Sequence, residues 1–129
     1  MSVRLIAAAA VLVSAYVHLH LWLDGFRHEH VIGPLFMVNV VAGVVIAALL
    51  VTSRSWPAPF LAFGFGASTL GGFVIAAQWG LFGAHEKWQG PYVWTATAAE
   101  LIAILTGLYL LTAARRAAPV AGRRTVSAH

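Results

Sequence analysis

Cysteine is absent from this 129-residue chain, and charge is nearly so. The first absence excludes a structural disulfide, a thiolate metal site and a quinone-linked thiol oxidoreductase. The second is more telling. Only 9% of the residues are Asp, Glu, Lys or Arg, while 60% are hydrophobic. A soluble domain of this size needs a charged surface, so the balance excludes one. Other signals are missing too. No Gly-rich loop follows a strand to hold phosphate, no sequence specifies a nucleophile elbow, and no DNA-reading module is present. No enzymatic machinery is legible.

What the chain has instead is four long apolar runs, at about residues 3–23, 34–52, 59–80 and 91–114, each long enough to cross the hydrocarbon core of a bilayer as a helix. The expected fold is all-α: an integral membrane protein built as an antiparallel bundle of four transmembrane helices. Four spans of about 20 residues use most of the chain, so any chemistry has to lie within the bundle or in short loops. Residues 1–114 form the membrane domain in this reading, and residues 115–129 form a basic, disordered tail. The first run mimics a signal peptide, with Arg4 followed by Leu5 to Val13 and the small pair Ser14-Ala15. Its apolar character continues through Leu23, however, so it is read as the first span.

Proline marks the boundaries. Pro34, Pro59 and Pro91 fall at proposed helix starts, where a missing N–H costs nothing, and Pro57 and Pro119 fall in a hairpin and the tail. The basic residues set the orientation. Arg4, Arg54, Arg115, Arg116, Arg123 and Arg124 lie on one side, and only Arg27 and Lys87 on the other. The richer side is expected in the cytoplasm, which puts both termini inside and the protein in the cytoplasmic membrane as a multi-pass chain. Trp22, Trp79, Trp88, Tyr92 and Trp94 then gather at the outer interface as anchors. The arginine tail is short and lacks interleaved aromatics, so its partner is anionic lipid and not nucleic acid.

Small residues recur every three or four positions: Ala7, Ala10, Ser14 and His18; Asn39, Gly43 and Ala47; Gly64, Ser68, Gly72, Ala76 and Gly80; Ala96, Glu100, Ala103 and Gly107. Such stripes let helix backbones approach closely. They suit packing within one chain, a homo-oligomer or a larger membrane complex equally well.

The polar residues inside the runs are the candidate site. Glu100 lies on the small face of span 4, about 12 Å below its outer end. His18 and Asn39 lie at similar depth, and Gln78 near the outer end of span 3. Together they predict a ligand-binding polar pocket in the outward half of the bundle. An unpaired carboxylate at that depth costs several kcal/mol, so such residues are rare and usually partnered. Glu100 is either a ligand- or proton-exchanging group, or a protonated acid that bonds Asn39 or His18 and fixes helix register.

A second candidate is the run HLHLWLDGFRHEH, with His18/His20 and His28/His30 as two His-x-His pairs. Imidazole with carboxylate suits Zn²⁺ or Cu²⁺, and His18, His28, His30, His85 and Glu100 would be the ligand set. Spacing argues against chelation by one helix, because residues two apart point about 200° apart; His20 falls near Tyr16 and Asp24. Haem is disfavoured, since span 1 alone offers an intramembrane histidine.

The segments Leu19 to Arg27 and Val31 to Asn39, with Thr69 to Phe73, Gly80 to Gly83 and Glu100, resemble a group of small four-span membrane proteins of high-GC Gram-positive bacteria. The resemblance covers most of the chain except the tail. It implies a helical inner-membrane protein and no particular reaction. The function expected is that of an accessory, interaction or small-ligand-binding membrane protein. The alternatives are an extracytoplasmic metal- or proton-linked site and a small oligomeric transporter.

Overall fold

The computed structural model describes residues 2–28, 30–80 and 90–127, with the side chains at 26, 115 and 117–127 left aside. The regular structure among these residues is all helical: α1 (Val3–Asp24), a 3₁₀ turn (Phe26–His28), α2 (Ile32–Thr52), α3 (Pro57–Gln78) and α4 (Pro91–Ser127). All four α-helices carry a stretch long and apolar enough to cross a membrane. Only 22–39% of the residues in those stretches are buried, so most of each helix presents apolar side chains outward. Water would not tolerate so much continuous apolar surface; lipid does.

Local chemistry explains the helix ends. Ser2 caps α1, its hydroxyl accepting from the Arg4 N–H at 3.1 Å. Pro57 opens α3 and Pro91 opens α4, where their fixed φ fits and no donor is missed. Just beyond the end of α3, the Gly80 N–H reaches the carbonyls of Ile75 and Ala76 with φ at 86°, a conformation glycine adopts without a Cβ penalty. α2 starts two residues ahead of Pro34, and α3 two residues ahead of Pro59. α4 differs more. Its apolar part ends at Ala114, but helical backbone continues to Ser127, where the sequence predicts a disordered tail. The run Ala113-Ala114-Arg115-Arg116-Ala117-Ala118 is rich in strong helix formers, which favours that continuation.

The interior is built from small side chains. Ala7, Ala10 and Val11 of α1, Ala47 and Leu50 of α2, Ala58 and Ala62 of α3 and Ala103 of α4 share one buried cluster. The glycines sit where backbones nearly touch. A Cβ on Gly43 would lie 2.7 Å from the Ala15 Cβ. A Cβ on Gly107 would lie 2.8 Å from both the Phe63 nitrogen and the Pro59 oxygen. The stripes expected on α1, α2 and α4 therefore serve contacts within one chain. The stripe expected on α3 is buried only at Ala76. The packing face of α3 is Ala58, Ala62 and Gly66, and Gly64 looks into open space.

One cation joins two helix ends. Arg4, at the start of α1, donates from Nε to the Leu50 carbonyl at 2.9 Å and from its terminal nitrogen to the Ser53 carbonyl. These are carbonyls that the C-terminus of α2 leaves without a helical partner. The planar fork of arginine suits such a pair of acceptors.

Candidate functional site

α1 packs on α2 and on α4, and α3 on α4, but α2 and α3 meet over a much shorter length. The gap between them is a cavity of about 500 Å³ that all four helices line. That volume lies in the range of about 300–1,000 Å³ typical of small-molecule sites. Its polar side chains are His18, Asn39, Ser68, Thr69, Tyr92, Thr97 and Glu100. Leu35 and Val38 of α2, Phe60, Leu61 and Ser68 of α3 and Tyr92 of α4 line it and are also exposed, so the cavity opens sideways through a largely apolar mouth.

Each polar group is held by a neighbour one turn away or on the facing helix. Ser14 and Glu100 are both buried, and the Ser14 hydroxyl donates to Glu100 Oε1 at 3.3 Å across the α1–α4 contact. One turn on, His18 Nδ1 donates to the Ser14 carbonyl at 2.8 Å. That bond fixes the tautomer, because a carbonyl can only accept; in the neutral ring Nε2 is then an acceptor. The His18 ring also meets the Phe36 ring edge-on, with centroids 4.9 Å apart. Across the cavity, Asn39 Nδ2 donates to Thr69 Oγ1 at 2.9 Å. Its Oδ1 is buried and, among the described residues, has no hydrogen-bond partner. A buried amide oxygen left in that state costs about 1–3 kcal/mol.

Three of the four residues expected to form the pocket, His18, Asn39 and Glu100, do line one cavity. Gln78 does not. It lies two residues beyond Ala76, which lines the cavity, and that rotation of about 200° turns it outward, where it is exposed. The two residues that partner the site, Ser14 and Thr69, were not among those expected to form it. Thr97 does bond its own helix, at the Val93 carbonyl, but Ser14 and Thr69 serve Glu100 and Asn39 on neighbouring helices. Ser14 shares the stripe of His18, which was the one available signal.

Among the described residues the proposed metal ligands do not converge. His28 and His30 are exposed, and His28 accepts from the neighbouring Arg27 at 3.3 Å. Among the described residues no three of His, Asp and Glu are grouped so as to hold a metal ion. His85 lies outside the described residues. His20 faces away from the cavity, as its spacing from His18 demands. It pairs with Asp24 at 3.2 Å and stacks on Tyr92 with centroids 4.5 Å apart. No protein-family model, curated protein or solved structure matches the chain.

Proposed function

We propose that this chain is a multi-pass protein of the cytoplasmic membrane whose role is to bind a small lipid-soluble molecule between its helices. In this reading the four helices run antiparallel and both termini face the cytoplasm. The clasp of Arg4 at the far end of α2 and the meeting of His18 with Phe36 near its start support opposed directions for the first two helices. The excess of arginine on the terminal side supports the orientation. Glu100 then lies within the fourth span, with Ser14 as its partner in a place where water cannot serve.

The observation that carries the proposal is the side-opening cavity. It combines a largely apolar mouth, aromatic walls at Phe36, Phe65 and Phe73, and a polar end that keeps a buried acceptor without a partner. Packing alone would favour closing such a space, because interiors are filled densely and voids are costly. An opening toward lipid suits a ligand that arrives through the bilayer.

The test is a comparison of what travels with the protein. Gly64 lines the cavity and has open space where a Cβ would stand. Leucine there should fill the cavity without disturbing a helix contact. Wild-type protein purified in mild detergent is expected to carry a small molecule near one per chain by mass spectrometry, and Gly64→Leu to lack it. Equal carriage by both proteins would refute the proposal.

A further inference from the structure

We infer that the ligand of this cavity is a lipophilic aryl amine, held through an N–H of its ammonium form on the Glu100 carboxylate. The inference rests on the reading of the cavity as a ligand site, and goes beyond it by assigning the charge and chemistry of the head.

Charge carries the argument. Glu100 is the one acid among the residues lining the cavity, and none of them is Lys or Arg. A carboxylate ligand such as a fatty acid would meet an acid and no strong base. The protein does not balance Glu100 itself. Among the described residues the one ion pair is His20 with Asp24, so His18 is not paired with Glu100. The carboxyl makes a single bond, accepting the Ser14 hydroxyl on Oε1. Oε2 has no partner among the described residues, yet it is not sealed in. The one side-chain polar atom there that is both buried and unpartnered is Asn39 Oδ1. Oε2 therefore keeps an opening, and the space beside Glu100 is the cavity.

That opening is narrow, because Glu100 as a whole is only 2% exposed. One N–H hydrogen can reach a single oxygen through it. The alkyl shell of a quaternary ammonium cannot. The mouth narrows the class further. Leu35, Val38, Phe60 and Leu61 favour entry of an uncharged molecule from lipid, which the free base of an amine is. An unpaired carboxyl group in hydrocarbon holds its proton. When the free base reaches it, the Glu100 O–H bond breaks and the nitrogen lone pair takes the proton. The new N–H then donates to Oε2. The contents of the cavity stay neutral overall, so no net charge crosses the mouth. Phe36, Phe65 and Phe73 supply rings that pack against an aryl group and whose faces attract an ammonium.

The experiment uses the full chain in phosphatidylcholine nanodiscs and tritiated dibenzylamine as probe. Saturable binding above that of protein-free nanodiscs is expected. Unlabelled dibenzylamine should displace the probe at about tenfold lower concentration than dibenzyl ether, which has the same shape and no basic nitrogen. It should outcompete N,N-dimethyldibenzylammonium, which is charged but has no N–H, by a similar factor. Glu100→Gln is expected to weaken the amine to the level of the ether. Displacement by the ether or the quaternary ion as effective as by the amine would overturn the inference, and those comparisons need no variant to fold. Full amine affinity in Glu100→Gln would also overturn it. If dibenzylamine does not bind, the assigned class is wrong. The co-purification comparison with Gly64→Leu then decides separately whether the cavity is a ligand site at all.

Discussion

One methyl group added at Gly66 should destabilise this protein, while the same group added two residues earlier, at Gly64, should not. A Cβ at Gly66 would stand 2.6 Å from the Glu100 carbonyl oxygen, 2.8 Å from Ile104 Cγ1 and 3.2 Å from the Ile104 nitrogen. Two of these three atoms are backbone and cannot rotate away, so α3 and α4 would have to move apart. Overpacking of this kind costs about 1–3 kcal/mol. Replacing a mid-helix glycine by alanine returns up to about 1 kcal/mol through helix propensity. The net expectation for Gly66→Ala is a loss of up to about 2 kcal/mol. At Gly64 nothing lies within 4 Å of the added carbon, so only the propensity gain of about 1 kcal/mol remains. The two variants should therefore differ by about 1–3 kcal/mol, with Gly64→Ala the more stable. Thermal unfolding in detergent, followed by far-ultraviolet circular dichroism, reads the difference. Thiol-reactive dyes are of no use, because the chain has no cysteine. A Gly66→Ala protein as stable as Gly64→Ala would refute the close crossing of α3 and α4.

Arg4→Ala removes two charge-assisted bonds to the end of α2 and is expected to lower stability by about 1.5–3 kcal/mol in the same assay, with Arg4→Lys intermediate because it lacks the fork. Ser14→Ala and Glu100→Leu, combined in a double-mutant cycle, should give a coupling energy of about 0.6–1.7 kcal/mol; a cycle that closes at zero would break the α1–α4 bond. His28→Ala and His30→Ala should leave stability and zinc or copper content unchanged by elemental analysis, since both residues are exposed; loss of a stoichiometric metal on either change would revive the metal reading. A reporter fused to the C-terminus should be active only in the cytoplasm, and activity confined to the outside would overturn the orientation.

The helices and three of the pocket residues were legible in the sequence for one reason: lipid forces apolar side chains and internal backbone bonding on any segment that crosses it. A polar residue in such a segment stands out against that background, as His18, Asn39 and Glu100 did. Rotation about the helix axis is a subtler quantity. α3 contains small residues at 58, 62 and 66 as well as at 64, 68, 72 and 76, and a four-residue repeat reads equally well in either register. Only the neighbours decide which register packs, and they chose Gly66 for the helix contact and Gly64 for the cavity. Gln78 was misjudged by the same kind of error, since its depth was considered and its direction was not. Ser14 and Thr69 illustrate another difficulty. A hydroxyl in a helix can bond its own preceding turn or a neighbouring helix, and the sequence does not distinguish the two. Closeness of the histidines along the chain is not convergence in space: His18 lines the cavity while His28 and His30 are exposed beyond the end of α1.

The clasp made by Arg4 also bears on the order in which the molecule is assembled. Arg4 and its acceptors at Leu50 and Ser53 all belong to the half of the chain that leaves the ribosome first. The first two helices can thus lock together before the third and fourth have been made. Ser14 is then already fixed within a finished pair when Glu100, the most demanding residue of the last helix, is inserted. A synthesis order that prepares the partner before the acid arrives shortens the time for which a carboxyl group stands alone in hydrocarbon.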